Sequence, residues 1–208
     1  MTDTSGRHRE SRIDPHRSGI RSRGGKRSVR AGDADVTPVR SLRGPIGAVC
    51  FDWGDTLMVD DGPTGVPMEG WPTVTAVPGA PECLAALRGR VPLCIATNAE
   101  QSDRSMIARA LERVDLGRYI DRIFCFADIG FRKGHPQFWH AVGAELSLPP
   151  AEIVMIGDSL EHDVLAPALA GVQTVWFSPP NRHVEPAAGV VTVPDLERFA
   201  DMIGGLLH

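Results

Sequence analysis

From residue 46 onward the chain alternates short apolar runs with longer stretches in which apolar positions recur every three or four residues. The runs 46–51, 91–96, 122–127, 153–156 and 172–177 are brief and rich in Val, Ile and Phe, the pattern of buried strands. Helices are predicted between them. One covers 80–88, opened by Pro78, Gly79 and Pro81 and closed by Gly89. A second runs from about 101 to 114, with Met106, Ile107, Ala110, Leu111 and Val114 on one face. Two more cover 136–146 and 163–170, the latter closed by Gly171. A marginal strand at 190–193 and a helix at 196–207 complete the series.

Such alternation predicts an α/β domain: a parallel sheet of about five strands with helices on both faces, a three-layer α/β/α arrangement. Right-handed crossovers then place every strand C-terminus at one edge, where open α/β sheets bind their ligands. The residues expected to converge there are Asp52 to Asp55, Thr97 with Asn98, Asp128 to Lys133, and Asp158 with Ser159.

Charge divides the chain in two. Residues 1–44 carry 11 Lys+Arg and 5 Asp+Glu, leaving 11 basic and 21 acidic residues to 45–208. The opening stretch is Arg-, Ser- and Gly-rich without apolar periodicity, so it is expected to be a disordered tail, with the folded domain at 45–208. No aromatic or amphipathic repeat in it supports a nucleic-acid or membrane-binding arm. No apolar run approaches the ~18 residues of a membrane helix, and the N-terminus has no apolar signal region. Cys50, Cys83, Cys94 and Cys125 are widely spaced in apolar segments and read as reduced core cysteines. A cytoplasmic protein is expected.

The candidate chemistry lies at the strand ends. Asp52, Asp158 and Asp163 in one crevice would repel one another unless a cation joined them. Oxygen-only donors suit a hard ion such as Mg²⁺. Thr97 and Asn98 offer a hydroxyl and backbone N–H groups at a helix start, a candidate phosphate cradle. Lys133 is the only lysine in 45–208 and is a compact charge for phosphate or for a charged nucleophile.

These segments resemble the motifs of the haloacid dehalogenase superfamily of hydrolases, over nearly all of residues 46–200. A strand ending D-x-D-x-T is represented by F-D-W-G-D-T-L, with Asp52 and Thr56 in place. The strand ending in Thr is C-I-A-T-N with Thr97. The lysine segment is R-K-G-H-P-Q-F-W with Lys133, and G-D-S-x-x-x-D is matched by Gly157, Asp158, Ser159 and Asp163. The resemblance implies a Rossmann-like core and a phosphatase-like hydrolase that works through an aspartyl-phosphate on Asp52. It also implies Mg²⁺ held by Asp52, the Gly54 carbonyl and Asp158, with Asp163 binding through water or orienting Lys133. Thr97, Asn98 and Lys133 would hold the transferring phosphoryl group.

The match departs from the phosphatase pattern at Gly54, where the general acid–base aspartate is expected. Two readings remain open: Asp55 substitutes for the acid, or the substrate has a good leaving group, such as an acyl or aryl phosphate. A catalytically weak phospho-ligand binding or regulatory protein is the alternative from another class. A dehalogenase-type hydrolase is a further one, disfavoured by the intact Asp158 and Asp163. Only 44 residues separate Asp52 from Thr97, so 58–77 is expected to be a flap loop in place of a cap domain. An open site suits a small phosphorylated molecule or a larger one. Trp71 and Met68 on the flap are expected to pack rather than bind. Trp139, Trp176, Phe124 and Phe126 read as core, Ser159 as a helix cap, and His135, His140 and His162 as ordinary surface histidines.

Overall fold

The computed structural model describes residues 41–180 and 189–207. The expected tail therefore lies almost wholly outside the described residues. Leu42 is buried, and Arg43 donates its backbone N–H to Gln173 Oε1 at 2.6 Å.

Six parallel strands form one sheet in the order β3-β2-β1-β4-β5-β6. They are β1 (Ala48–Phe51), β2 (Leu93–Thr97), β3 (Arg122–Cys125), β4 (Ile153–Gly157), β5 (Gln173–Phe177) and β6 (Thr192–Val193). The helices are α1 (Ala80–Leu87), α2 (Arg104–Glu112), the short α3 (Phe126–Ile129), α4 (Pro136–Leu146), the short α5 (Ala166–Leu169) and α6 (Leu196–Leu206). Strands β1, β2, β4 and β5 are buried along their whole length, as a sheet covered on both faces requires.

Successive strand residues point to opposite faces, and two apolar layers result. Val49, Phe51, Ile95, Val154 and Ile156 pack with Leu84 of α1, Ile107 of α2 and Phe199 of α6. Cys50, Cys94, Ala96 and Met155 pack on the other face with Phe138, Trp139 and Val142 of α4. All four cysteines are buried and free. The expected three-layer arrangement is present, with the marginal sixth strand paired in parallel to β5.

Three local expectations are corrected. The third strand stops at Cys125, and Phe126 opens α3; its ring is half-buried beneath the Arg132 guanidinium rather than in the core. The helix after β2 starts only at Arg104, because the Asp103 side chain accepts the Met106 N–H at 2.9 Å and caps it there. The helix after β4 starts early, as a π-helical turn over Leu160–Leu165 that leads into α5. Among the described residues, no helix is long and apolar enough to cross a membrane.

Candidate active site

Strand β1 lies between β2 and β4: the chain runs from β1 outward through β2 to β3, then crosses back to β4 and continues outward the other way, which opens a crevice beyond the C-terminal ends of β1 and β4. Asp52 follows β1 directly, anchored by its backbone N–H to the Ile156 carbonyl at 2.9 Å. Asp158 follows β4, and its carbonyl accepts the Trp176 indole N–H at 3.0 Å. The register of the two strands, Phe51 beside Ile156, brings these carboxylates to the same level.

Asp163 arrives from the π-helical turn. Ser159 caps this turn, accepting the His162 N–H at 3.2 Å, and gives its own N–H to Asp163 Oδ2 at 2.9 Å. A wide turn of this kind is common at functional sites, and here it aims Asp163 back toward the sheet. Gly157 leaves room for it: a Cβ there would lie 2.2 Å from Asp163 Oδ2.

Lys133 is the centre of the site. Its ammonium bonds Asp52 Oδ1 and lies 2.5 Å from Asp163 Oδ1, while its side chain is only 2% exposed. The backbone around it is fixed on both sides. Asn98 Oδ1 accepts the Lys133 N–H at 2.8 Å, and the Lys133 carbonyl accepts the Trp139 indole N–H at 2.7 Å. Burial alone would lower the Lys133 pKa, but the two carboxylates outweigh it and hold it above its ordinary value.

One lysine does not balance three acids. Asp52, Asp158 and Asp163 each offer a carboxylate oxygen, all within 4.8 Å of one another. Burial pushes the Asp52 pKa from 3.8 to about 7; Asp163 and Asp158 add to the rise, and Lys133 opposes it. Thr56, fully buried, lies between two of these acids, with Oγ1 3.5 Å from Asp52 Oδ2 and 3.4 Å from Asp158 Oδ1.

Thr97 is buried at the end of β2, and its Oγ1 accepts the Ala99 N–H at 3.2 Å, which leaves the hydroxyl proton free to turn toward the crevice. Because α2 starts at Arg104, Thr97 and Asn98 lie at the end of β2 and in the loop after it rather than at a helix start. The Asn98 side-chain oxygen is engaged by Lys133.

The crevice is a pocket of about 500 Å³ that includes Asp52, Thr97, Lys133, Asp158 and Asp163. The flap supplies its outer wall. Met68 and Trp71 are buried in the main core and also face this pocket, so packing and pocket-lining coincide. The Trp71 indole donates to the Val66 carbonyl at 2.7 Å. Two arginines of α2 and its C-terminus tie the flap down. Arg109 Nε bonds Glu69 Oε2 at 2.6 Å, and Arg113 donates to the Glu69 and Pro72 carbonyls at 2.9 and 3.2 Å.

Asp55 has a left-handed backbone, with φ of 54°, a conformation that aspartate tolerates better than most residues. Its N–H donates to the Met58 carbonyl at 2.6 Å, and its Oδ1 accepts the Asp60 N–H at 3.0 Å. Gly54 pairs in parallel with Met58. The turn therefore carries Asp60 back beside Gly54, and Asp60 joins the pocket wall. Partial burial raises the Asp60 pKa, with Asp55, Asp158 and Asp61 adding to the effect. Thr56 and Asp60 were not among the site residues expected from sequence. Thr56 carried a signal, its place in the first motif; Asp60 carried none beyond an acid pair after a short loop.

The model of the haloacid dehalogenase-like hydrolase family matches residues 69–171. Pyrimidine 5'-nucleotidase YjjG of Escherichia coli is 27% identical over 60% of this chain and 56% of its own length. Ribulose-1,5-bisphosphate 5-phosphatase of Halopiger xanaduensis is 29% identical over 74% of this chain and 63% of its own. The chain thus spans less than two thirds of the length of these curated relatives. A phosphatase structure from Thermococcus onnurineus superposes with a TM-score of 0.62 at 17% identity, covering 77% of this chain and 99% of that one. The order of the four motifs and the six-stranded fold that gathers them accord with the family match, which identifies residues 69–171 as haloacid dehalogenase-like hydrolase sequence.

Proposed function

We propose that the chain hydrolyses phosphate esters or acyl phosphates of small molecules, with Asp52 as the nucleophile. The observation that carries this reading is the buried Lys133 ammonium held between Asp52 and Asp163, with Asp158 and Thr97 on the same pocket wall. The curated relatives named as phosphatases and nucleotidases support the reaction class.

The three clustered carboxylates fit a hard divalent cation. They are all-oxygen donors, they outnumber the single lysine, and burial makes the ionised form of Asp52 costly without further positive charge. Asp52 and Asp158 would hold Mg²⁺, with Asp163 nearby. The ion, when bound, would offset negative charge on the phosphoryl group and orient it toward Asp52.

The protein's own groups then divide the work. Lys133 orients the Asp52 carboxylate and neutralises phosphoryl oxygens, and Asp163 holds Lys133 in place through its own bond to Ser159 N–H. The Thr97 hydroxyl donates to a phosphoryl oxygen. An Asp52 oxygen attacks phosphorus, the bond to the leaving oxygen breaks, and an aspartyl-phosphate forms. Water then attacks the same phosphorus, releasing inorganic phosphate and restoring Asp52.

The test is phosphate release from acetyl phosphate, an aryl phosphate and a sugar phosphate, with and without Mg²⁺. Wild type should exceed Asp52→Asn on at least one of them and depend on Mg²⁺. Equal rates for the two proteins on every substrate would sink the reading.

A further inference from the structure

The reaction above leaves one proton unassigned. A departing alkoxide needs a donor, and Gly54 has no side chain to supply one. Gly54 is nevertheless not beside empty space. A Cβ built on it would lie 3.0 Å from Asp60 Oδ2 and 3.3 Å from Asp60 Cβ. The Asp60 carboxylate therefore occupies the space into which an acidic side chain at position 54 would extend.

Its placement is held by the backbone. The left-handed Asp55, the Asp55 N–H to Met58 carbonyl bond and the Gly54–Met58 bridge fold the chain back on itself. Asp55 Oδ1 then receives the Asp60 N–H. Asp55 thus holds the turn, while Asp60 stays partly exposed on the wall of the pocket that contains Asp52 and Lys133.

We propose that Asp60 is the proton donor to the leaving group and the proton acceptor from the attacking water. This inference rests on Asp52 being the nucleophile. In the first step the phosphorus–oxygen bond to the leaving group breaks, its electron pair stays on that oxygen, and the Asp60 carboxyl proton moves to it. In the second, the Asp60 carboxylate takes a proton from water as the water oxygen bonds to phosphorus. The Asp52–phosphorus bond breaks, phosphate leaves, and Asp60 is again protonated. Unactivated alkyl phosphates, sugar phosphates among them, then become substrates despite Gly54.

The experiment compares wild type, Asp60→Asn, Asp55→Asn and the exchange variant Gly54→Asp/Asp60→Ala. Substrates are a sugar phosphate and p-nitrophenyl phosphate with Mg²⁺, the latter followed also in the first turnover. Asp60→Asn should lower kcat on the sugar phosphate by about 100-fold or more. Its first-turnover burst of p-nitrophenol should stay within about tenfold of wild type, because that leaving group needs little protonation. Later turnovers should be slow as the aspartyl-phosphate accumulates. The exchange variant should recover much of the sugar-phosphate rate. A purely structural role would depress burst and sugar-phosphate rates together, and that result overturns the proposal. So does an unchanged Asp60→Asn, or the same split seen in Asp55→Asn instead. If wild type fails to exceed Asp52→Asn on either substrate, the nucleophile assignment falls, and this inference with it.

Discussion

Replacing Asp52 by Asn should make the metal-free protein more stable, and increasingly so as the pH rises. Burial, with Asp163 and Asp158 adding and Lys133 opposing, moves the Asp52 pKa from 3.8 to about 7. Between those values the folded state keeps a proton that the unfolded state has released. The slope is therefore negative: stability from this group is fullest below 3.8 and is lost as the pH climbs to about 7. At about 1.4 kcal/mol per pH unit, the stability lost relative to pH below 3.8 is roughly 1.5 kcal/mol at pH 5, where folded Asp52 still holds its proton, and about 4 kcal/mol above pH 7, where it is ionised. Asparagine removes the charge but also weakens the bond to Lys133, so a gain of about 2–3 kcal/mol should remain at pH 8. For a domain of this size each kcal/mol corresponds to about 2–4 °C in Tm. The assay is urea unfolding in EDTA at pH 5 and pH 8, for both proteins. A variant less stable than wild type at pH 8, or a gap that does not widen between the two pH values, would refute the electrostatic account.

Other perturbations test the metal, the π-helical turn and the flap. Mg²⁺ at 100 times its dissociation constant should stabilise wild type by about 2.7 kcal/mol, and thermal unfolding should show no such gain in Asp158→Asn. In Gly157→Ala the new methyl would meet Asp163 Oδ2, so a loss of about 1–3 kcal/mol is expected in denaturant unfolding. Arg113→Ala removes the bonds to the Glu69 and Pro72 carbonyls. It should cost about 1–2 kcal/mol and speed proteolytic cleavage within residues 60–77, read by mass spectrometry.

What could be read from sequence follows the range of the forces involved. Strands β1, β2 and β4 announce themselves because a strand buried on both faces must be apolar throughout. Helix α4 matches its expected bounds because Pro136 and the periodic Phe138, Trp139 and Val142 are local signals. Asp52, Thr97 and Asp158 were legible because each sits at or just past a sheet edge that the alternation itself predicts, whereas Lys133, which lies beyond β3 and α3, stood out as the single lysine of 45–208. The rest depends on contacts distant in sequence or on single torsions. Phe126 looked like core until the strand ended one residue before it. The start of α2 depends on Asp103 acting as a cap ahead of the apolar stripe. Asp60 needed the positive φ of Asp55, which no periodicity encodes, to return it to Gly54.

The burial of Lys133 has a practical corollary for chemical labelling. Sequence places just two lysines in the chain, Lys26 and Lys133. Across the described residues, then, the sole primary amine is 2% exposed and clasped between two carboxylates. An amine-selective reagent reaching Lys133 must wait for the crevice to open or the domain to unfold. Acylation of that residue, followed by peptide mapping with and without Mg²⁺, is a clock for such openings, and the arginine-only basic surface of residues 45–208 leaves it without background from that part of the chain.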